Sequence, residues 1–481
     1  MTDRVTGIVL AIGMVACAVG CGNTGDGVRA DPLGSDSEAL SGGNERCRNV
    51  DARQERVENL RPFKNESGHH ATFSTRDGQV LDTQNAFFQS LGTNGRTCGS
   101  CHAPEDGFSV SATNVRKRFD RTCGLDPIFR PIDGATNPAA DVSSLQKRRD
   151  AYSLLLEKGL IRIQEPIPPG AEFELLAVDD PYGNDLAAGL TVFRRPLAAM
   201  NLKFNAVIMW DGREPDLASQ AKNATLRHAE ATDAPDDETL RSIVDFETAL
   251  FTTQVQADGL GSTSAAGATG DPRTLSTQDF FVNINRDTST FPPAPTERAL
   301  TTDVFTTFDA WASSKKAARA SVARGQALFN RRQFFDPVGG PDTTCSECHN
   351  APNAGSFSGP TEAIPPFGGM RTVLIADAPF RTPDLPLYTV GCSAAGVAAK
   401  HCNLGDTRQT SDPGMAFRSG LWRDVSRFKA PHLRGVASRA PFFHNGMAAT
   451  LADVVDHYDT IDHIGLTADE KADLTAFLGA L

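Results

Sequence analysis

Positive charge is scarce in this chain. Its 481 residues carry 47 Lys and Arg against 59 Asp and Glu, a formal charge of −12 with a pI near 5.4. A nucleic-acid surface needs the opposite sign, so the balance argues against nucleic acid as a partner. Long apolar runs are also missing. The stretch from Val5 to Val19, behind Met1-Thr-Asp-Arg4, is too short to span a bilayer well and reads as a signal peptide. No other segment reads as a membrane helix. Strand-like alternation is weak throughout, so the expected fold is all-α with long loops.

What is present begins with cysteine. Small residues precede Cys17 and Cys21 in Met14-Val15-Ala16-Cys17 and Ala18-Val19-Gly20-Cys21, an arrangement that resembles bacterial lipoprotein processing sites. Cys21 is the expected lipidation site, because the Gly/Asp/Ser-rich run 22–43 behind it suits a flexible tether. Ordinary cleavage to a soluble periplasmic protein is the alternative. Two strings, Cys98-Gly-Ser-Cys101-His102 and Cys345-Ser-Glu-Cys348-His349, have the C-x-x-C-H form that attaches a c-type haem. Two thiols bind the macrocycle and the adjacent histidine ligates the iron. A zinc or redox C-x-x-C with an incidental histidine is the weaker reading of such a pair. Cys47, Cys123, Cys392 and Cys402 are left over and allow three disulfide pairings. The short loop favours Cys392–Cys402, which would leave Cys47–Cys123 to pin the N-terminal arm.

The expected organisation is a leader (1–21), a tether and N-terminal arm (22–75), a first cytochrome c-like domain (76–253) with an insertion at 111–192, a linker or insertion (254–298) and a second cytochrome c-like domain (299–481). Residues 317–329 have helical patterning. Thr450 and Thr467 look like helix N-caps, and Thr467 with Glu470 forms a capping box. The last helix should bury Leu474, Phe477, Leu478 and Leu481 along one face.

Further strings carry a family resemblance. Trp210-Asp-Gly-Arg213, Gln220-Ala221 and Glu230 resemble the core of bacterial di-haem cytochrome c peroxidases. Pro431-His-Leu-Arg434 and Ala440-Pro-Phe-Phe-His444-Asn-Gly446, followed by Thr450-Leu-Ala-Asp-Val-Val, resemble the second-domain signature of the same superfamily, which includes MauG-type enzymes and rubber oxygenases. The resemblance implies two covalent c-type haems. Haem one, on His102, would be peroxidatic, and haem two, on His349, would transfer electrons. It also implies that Trp210 relays electrons between them. Gln220, ten residues after Trp210, and Glu230, ten further, would hold peroxide and move its protons.

The family's distal histidine is absent, since no histidine lies between His102 and Pro196. Haem one should therefore be open unless a remote histidine such as His228 swings in. His228, two residues before Glu230, is a candidate for lining the pocket. The family's Asn ligand to an interfacial calcium is replaced by Arg194, which argues against calcium. The family's sixth ligand of haem two falls at Tyr458, fourteen residues after His444. Leu451, Val454, Val455 and Tyr458 share a helix face, and His457 points about 100° away. His457 is the runner-up ligand. His444 and Arg434 are expected near haem two, and Asp211 and Arg213 near haem one. His69 and His70 are expected in solvent.

The implied function is an exported peroxidase of the periplasm or cell envelope. It would reduce hydrogen peroxide with electrons from a small cytochrome c or cupredoxin and touch the membrane only through a lipid anchor. A MauG-like oxidase of an organic or protein substrate is the first alternative. A non-catalytic di-haem electron carrier is the second, and the distal pair Gln220 and Glu230 argues against it.

Overall fold

Helix Leu451–Ile461 opens on a capping box, with the Thr450 hydroxyl accepting from the Asp453 N–H and the Asp453 carboxylate accepting from the Thr450 N–H. Helix Ala468–Ala480 opens the same way on Thr467 and Glu470. Its face of Leu474, Phe477 and Leu478 is buried, with Leu481 just beyond its end. It crosses the helix Ala317–Arg331 at Gly325, where a Cβ would come within 2.0 Å of the Asp473 carbonyl oxygen. Only glycine permits that approach. Phe305, Phe308, Trp311, Phe329 and Phe477 fill the core beneath this pair.

This computed structural model describes Cys47 and residues 56–76, 79–285, 301–336, 340–359, 372–374 and 383–481. The leader, Cys17, Cys21 and the tether 22–43 lie outside the described residues, as do residues 286–298 of the expected linker. Among the described residues no helix is long and apolar enough to cross a membrane.

The all-α expectation is corrected. Helix makes up 35% of the structure and strand 17%, so the class is mixed α/β. The largest sheet has four antiparallel strands, in the order Phe63–Asn65, Gly68–Ser74, Leu250–Ala257, Gly261–Ser262. Phe73 pairs with Phe251 there, and the Thr72 and Thr252 hydroxyls meet at 2.7 Å. His69 and His70 belong to this sheet. His69 is half-buried, and His70 is fully buried with Nε2 3.2 Å from the Pro104 carbonyl oxygen. This corrects their placement in solvent.

The segment 111–192 contributes its own core of Val115, Phe119, Phe129, Tyr152 and Leu155. Its strand Phe173–Asp179 pairs with Leu387–Cys392, far along the chain, and Thr407–Thr410 completes that sheet. Both expected disulfides form, Cys47–Cys123 and Cys392–Cys402.

Candidate active site

Two cavities lie on either side of Trp210. The larger, of about 450 Å³, has Cys345, Cys348 and His349 on its wall. The smaller, of about 170 Å³, has Cys98, Cys101 and His102. In both strings the C-x-x-C forms one helical turn behind a threonine N-cap, which turns both cysteines and the following histidine toward one side. His102 Nδ1 lies 2.9 Å from the Phe108 carbonyl oxygen, and His349 Nδ1 lies 2.5 Å from that of Gly355. Such a bond fixes the ring and leaves Nε2 as the ligating nitrogen. Burial lowers the pKa of both imidazoles, that of His349 to about 4, which keeps them neutral as a metal ligand requires.

The site fits haem in its charges as well. Arg195, Lys429 and Arg439 are buried and line the larger cavity, and the first two also line the smaller. None forms an ion pair with a carboxylate among the described residues. Burial lowers Lys429 to about 8, with Arg439 adding to it, and lowers Arg439 to about 9. Arg195 donates to the carbonyl oxygens of Lys158, Val110 and Arg439, and Arg439 bonds His432, but no carboxylate among the described residues neutralises any of the three, so their charge suits the anionic propionates that a haem carries. The four free cysteines among the described residues are the four of the two strings.

Trp210 lies on the walls of both cavities. Its Nε1 donates to the Arg195 carbonyl oxygen at 2.8 Å. The rest of its motif holds it there. Asp211 is buried and pairs with Arg213 at 3.0 Å and with Arg194 at 2.6 Å. Arg194 also grips Asp412 through two bonds of 2.6 and 2.8 Å. Arg194 thus supplies its own cation between two buried carboxylates. Asp211 and Arg213 belong to this network and are not on the haem-one cavity wall.

On the haem-two side, Leu451, Val454, Val455 and Tyr458 all line the cavity. His457 does not, and its ring lies 4.8 Å from that of Phe443. Burial drives the Tyr458 phenol up and His457 down to about 4. Neither Arg434 nor His444 is on either wall. Arg434 clamps the carbonyl oxygens of Leu481, Asn353 and Gly270, an ordinary buried role. His444 stacks on Phe428 at 3.9 Å and stands 6.2 Å edge-on from Trp210.

On the haem-one side, Gln220 lines the cavity and Glu230 does not. The helix Leu217–His228 stops before Glu230, which sits at φ +54° and is exposed. Its carboxylate accepts from Asn94 Nδ2 at 2.9 Å. Two wall residues went unread in the sequence. Glu247 is buried, its Oε2 has no hydrogen-bond partner among the described residues, and burial raises it to about 8. It continues the apolar face Leu240–Ile243 of its helix, and a carboxyl on such a face is a legible anomaly. Asp133, deep in the segment 111–192, carried no such signal.

A family model for di-haem cytochrome c peroxidase matches residues 87–257, which hold the haem-one string, Trp210, Gln220 and Glu230. This match and the relatives below support placing the chain in the di-haem cytochrome c peroxidase superfamily. Within it, the chain is 30% identical over 195 residues to the cytochrome-c peroxidase IdrP1 of Pseudomonas sp. (strain SCT), across 36% of this chain and 43% of that relative. The match thus spans under half of that relative's own length. The chain is 25% identical over 292 residues to the cytochrome c551 peroxidase of Pseudomonas aeruginosa, across 60% of this chain and 64% of the relative. Among solved structures, a MauG-like protein associated with microbial copper homeostasis aligns over 90% of this chain and 95% of its own, at 15% identity and a TM-score of 0.38. Membership of the superfamily implies haem as the cofactor.

Proposed function

We propose that this protein reduces hydrogen peroxide in the haem-one cavity with electrons delivered through the haem-two cavity. The observation that carries this reading is the position of Trp210 on both walls. An oxidisable indole, fixed by its own N–H and by the Asp211 clamp, is the side chain best placed to pass electrons between the two sites. Haem, when bound, supplies the iron through which those electrons reach peroxide. Cys98, Cys101 and His102 would hold one haem, and Cys345, Cys348 and His349 the other, with Tyr458 as the sixth ligand of the second. Gln220 would hold peroxide or water by its carboxamide. Arg195, Lys429 and Arg439 would neutralise the propionates. Export to the periplasm or cell envelope, a lipid anchor at Cys21 and a small cytochrome c or cupredoxin as donor complete the proposal.

The test is donor oxidation by the di-haem protein under a defined supply of peroxide. Two donor molecules oxidised per peroxide consumed is the expected result. No donor oxidation, with both haems present, would overturn the reading. One observation favours a second reading, the oxidation of an organic or protein substrate by the same centre. Tyr458 is on the haem-two wall, and the family resemblance gives a tyrosine at that position to MauG-type enzymes and a methionine to typical peroxidases.

A further inference from the structure

Six residues of the helix Leu217–His228 line the haem-one cavity: Leu217, Gln220, Ala221, Ala224, Thr225 and His228. Their spacing of three and four makes one stripe. His228 is therefore on the same wall as Gln220, one helix end further along.

The imidazole of His228 is held from behind. Its Nδ1 lies 2.6 Å from Asp133 Oδ2, and the other oxygen of Asp133 pairs with Arg96. Asp133 and Arg96 are both buried, and Asp133 stays below the usual carboxylate range. Burial opposes that, and Arg96 and His228 outweigh it. The His228 backbone is pinned too. Its carbonyl oxygen accepts from Asn94 Nδ2 at 2.9 Å and from Arg96 Nη1 at 3.2 Å. The segment that does this leads directly into the first C-x-x-C-H string. It packs so closely on the helix end that a Cβ on Gly92 would come within 1.9 Å of the Ala229 carbonyl oxygen. A carboxylate on Nδ1 fixes the tautomer and leaves Nε2 to accept a proton.

We propose that His228, oriented by Asp133, is the proton-transferring side chain of the haem-one cavity. This deepens the peroxidase reading and rests on it. Nε2 takes the proton from one oxygen of hydrogen peroxide and returns it to the other. The O–O bond breaks, its electron pair leaves with the protonated oxygen, and that oxygen departs as water. Two electrons from the donor protein and two protons from solvent convert the remaining oxygen to the second water. Glu230, exposed and bonded to Asn94, is not needed for either transfer. Asp133 acts through His228 and is a positioning residue.

The test compares the wild-type di-haem protein with His228→Gln, whose side chain is already 38% exposed and tolerates replacement. Cyanide is the first probe, because hydrogen cyanide must give up its proton to bind as the anion. Cyanide association at ferric haem one and the spectral reaction with peroxide should each slow by about 100-fold. The haem-one EPR signal should keep its spin state. Asp133→Asn should slow cyanide in the same sense with both EPR signals unchanged, which a mere packing defect would not do. Unaltered cyanide association in His228→Gln would overturn the proposal. A change of haem one from low to high spin in that variant would also overturn it, by showing His228 to be an iron ligand. If wild-type haem one takes cyanide but never reacts with peroxide, the peroxidase reading falls, while the cyanide comparison still decides the role of His228.

Discussion

At the scale of single residues, position on a helix decides which side chains reach a cavity wall. Tyr458 shares a face with Leu451, Val454 and Val455, and all four reach the cavity wall. Tyr458→Phe should therefore change the ferric haem-two spectrum, and His457→Gln should leave it unchanged; the reverse pattern would move the ligand to His457. Glu230 is expected at haem one from the family's spacing alone, ten residues beyond Gln220, and that spacing carries no information on where the helix ends. It ends at His228, and the left-handed turn at Glu230 carries that carboxylate outward. Glu247 was missed because residue counting from Trp210 never reaches it. Its pKa of about 8 lies above the ordinary glutamate value of 4.5, so the folded protein binds this proton more tightly than the unfolded chain. The resulting stability is fully present below about 4.5 and is lost as pH climbs through about 8. Glu247→Gln should flatten the dependence of the urea midpoint on pH over that window, and an unchanged slope would mean the carboxyl is not protonated in the fold.

At the scale of elements, three helices of the second half were legible, and the remaining helices and the strands were not. Thr450 and Thr467 announce their helices by local chemistry, since each hydroxyl and its acidic partner three residues on satisfy backbone donors within one turn. The strands carry no comparable mark. Leu190–Arg194 is buried at all five positions, so it shows no alternation to read. Gly68–Ser74 is rich in small and polar residues, and it is held by a partner strand near residue 250. Such pairing is set by distant contacts rather than by local pattern. The C-terminal helix depends on packing more than on its cap. Phe477, fully buried among Phe305, Phe308 and Phe329, should cost about 3–5 kcal/mol as Phe477→Ala, read from the shift in urea midpoint. A cost below about 1 kcal/mol would mean that this helix pair is not part of the stable core.

At the scale of the whole molecule, the two haem strings and the WDGR motif were enough to place the chain in its superfamily, and the sheets that join distant segments were not foreseen. Arg194 and the strand pair Phe173–Asp179 with Leu387–Cys392 tie the first half of the chain to the second. Those ties hold Trp210 between the cavities, so the proposed electron path is a property of the assembled chain rather than of either half. Trp210→Phe should slow donor oxidation by peroxide and leave cyanide binding at haem one unchanged; equal loss of both would point to a disrupted cavity instead. The account rests most heavily on a haem-one site that is open to peroxide while haem two is fully ligated. EPR and optical spectra of the ferric di-haem protein, taken before and after one equivalent of peroxide without prior reduction, test this directly. One high-spin and one low-spin haem are expected, with the spectrum changing at once on addition of peroxide. Two low-spin haems, inert to peroxide, would contradict it.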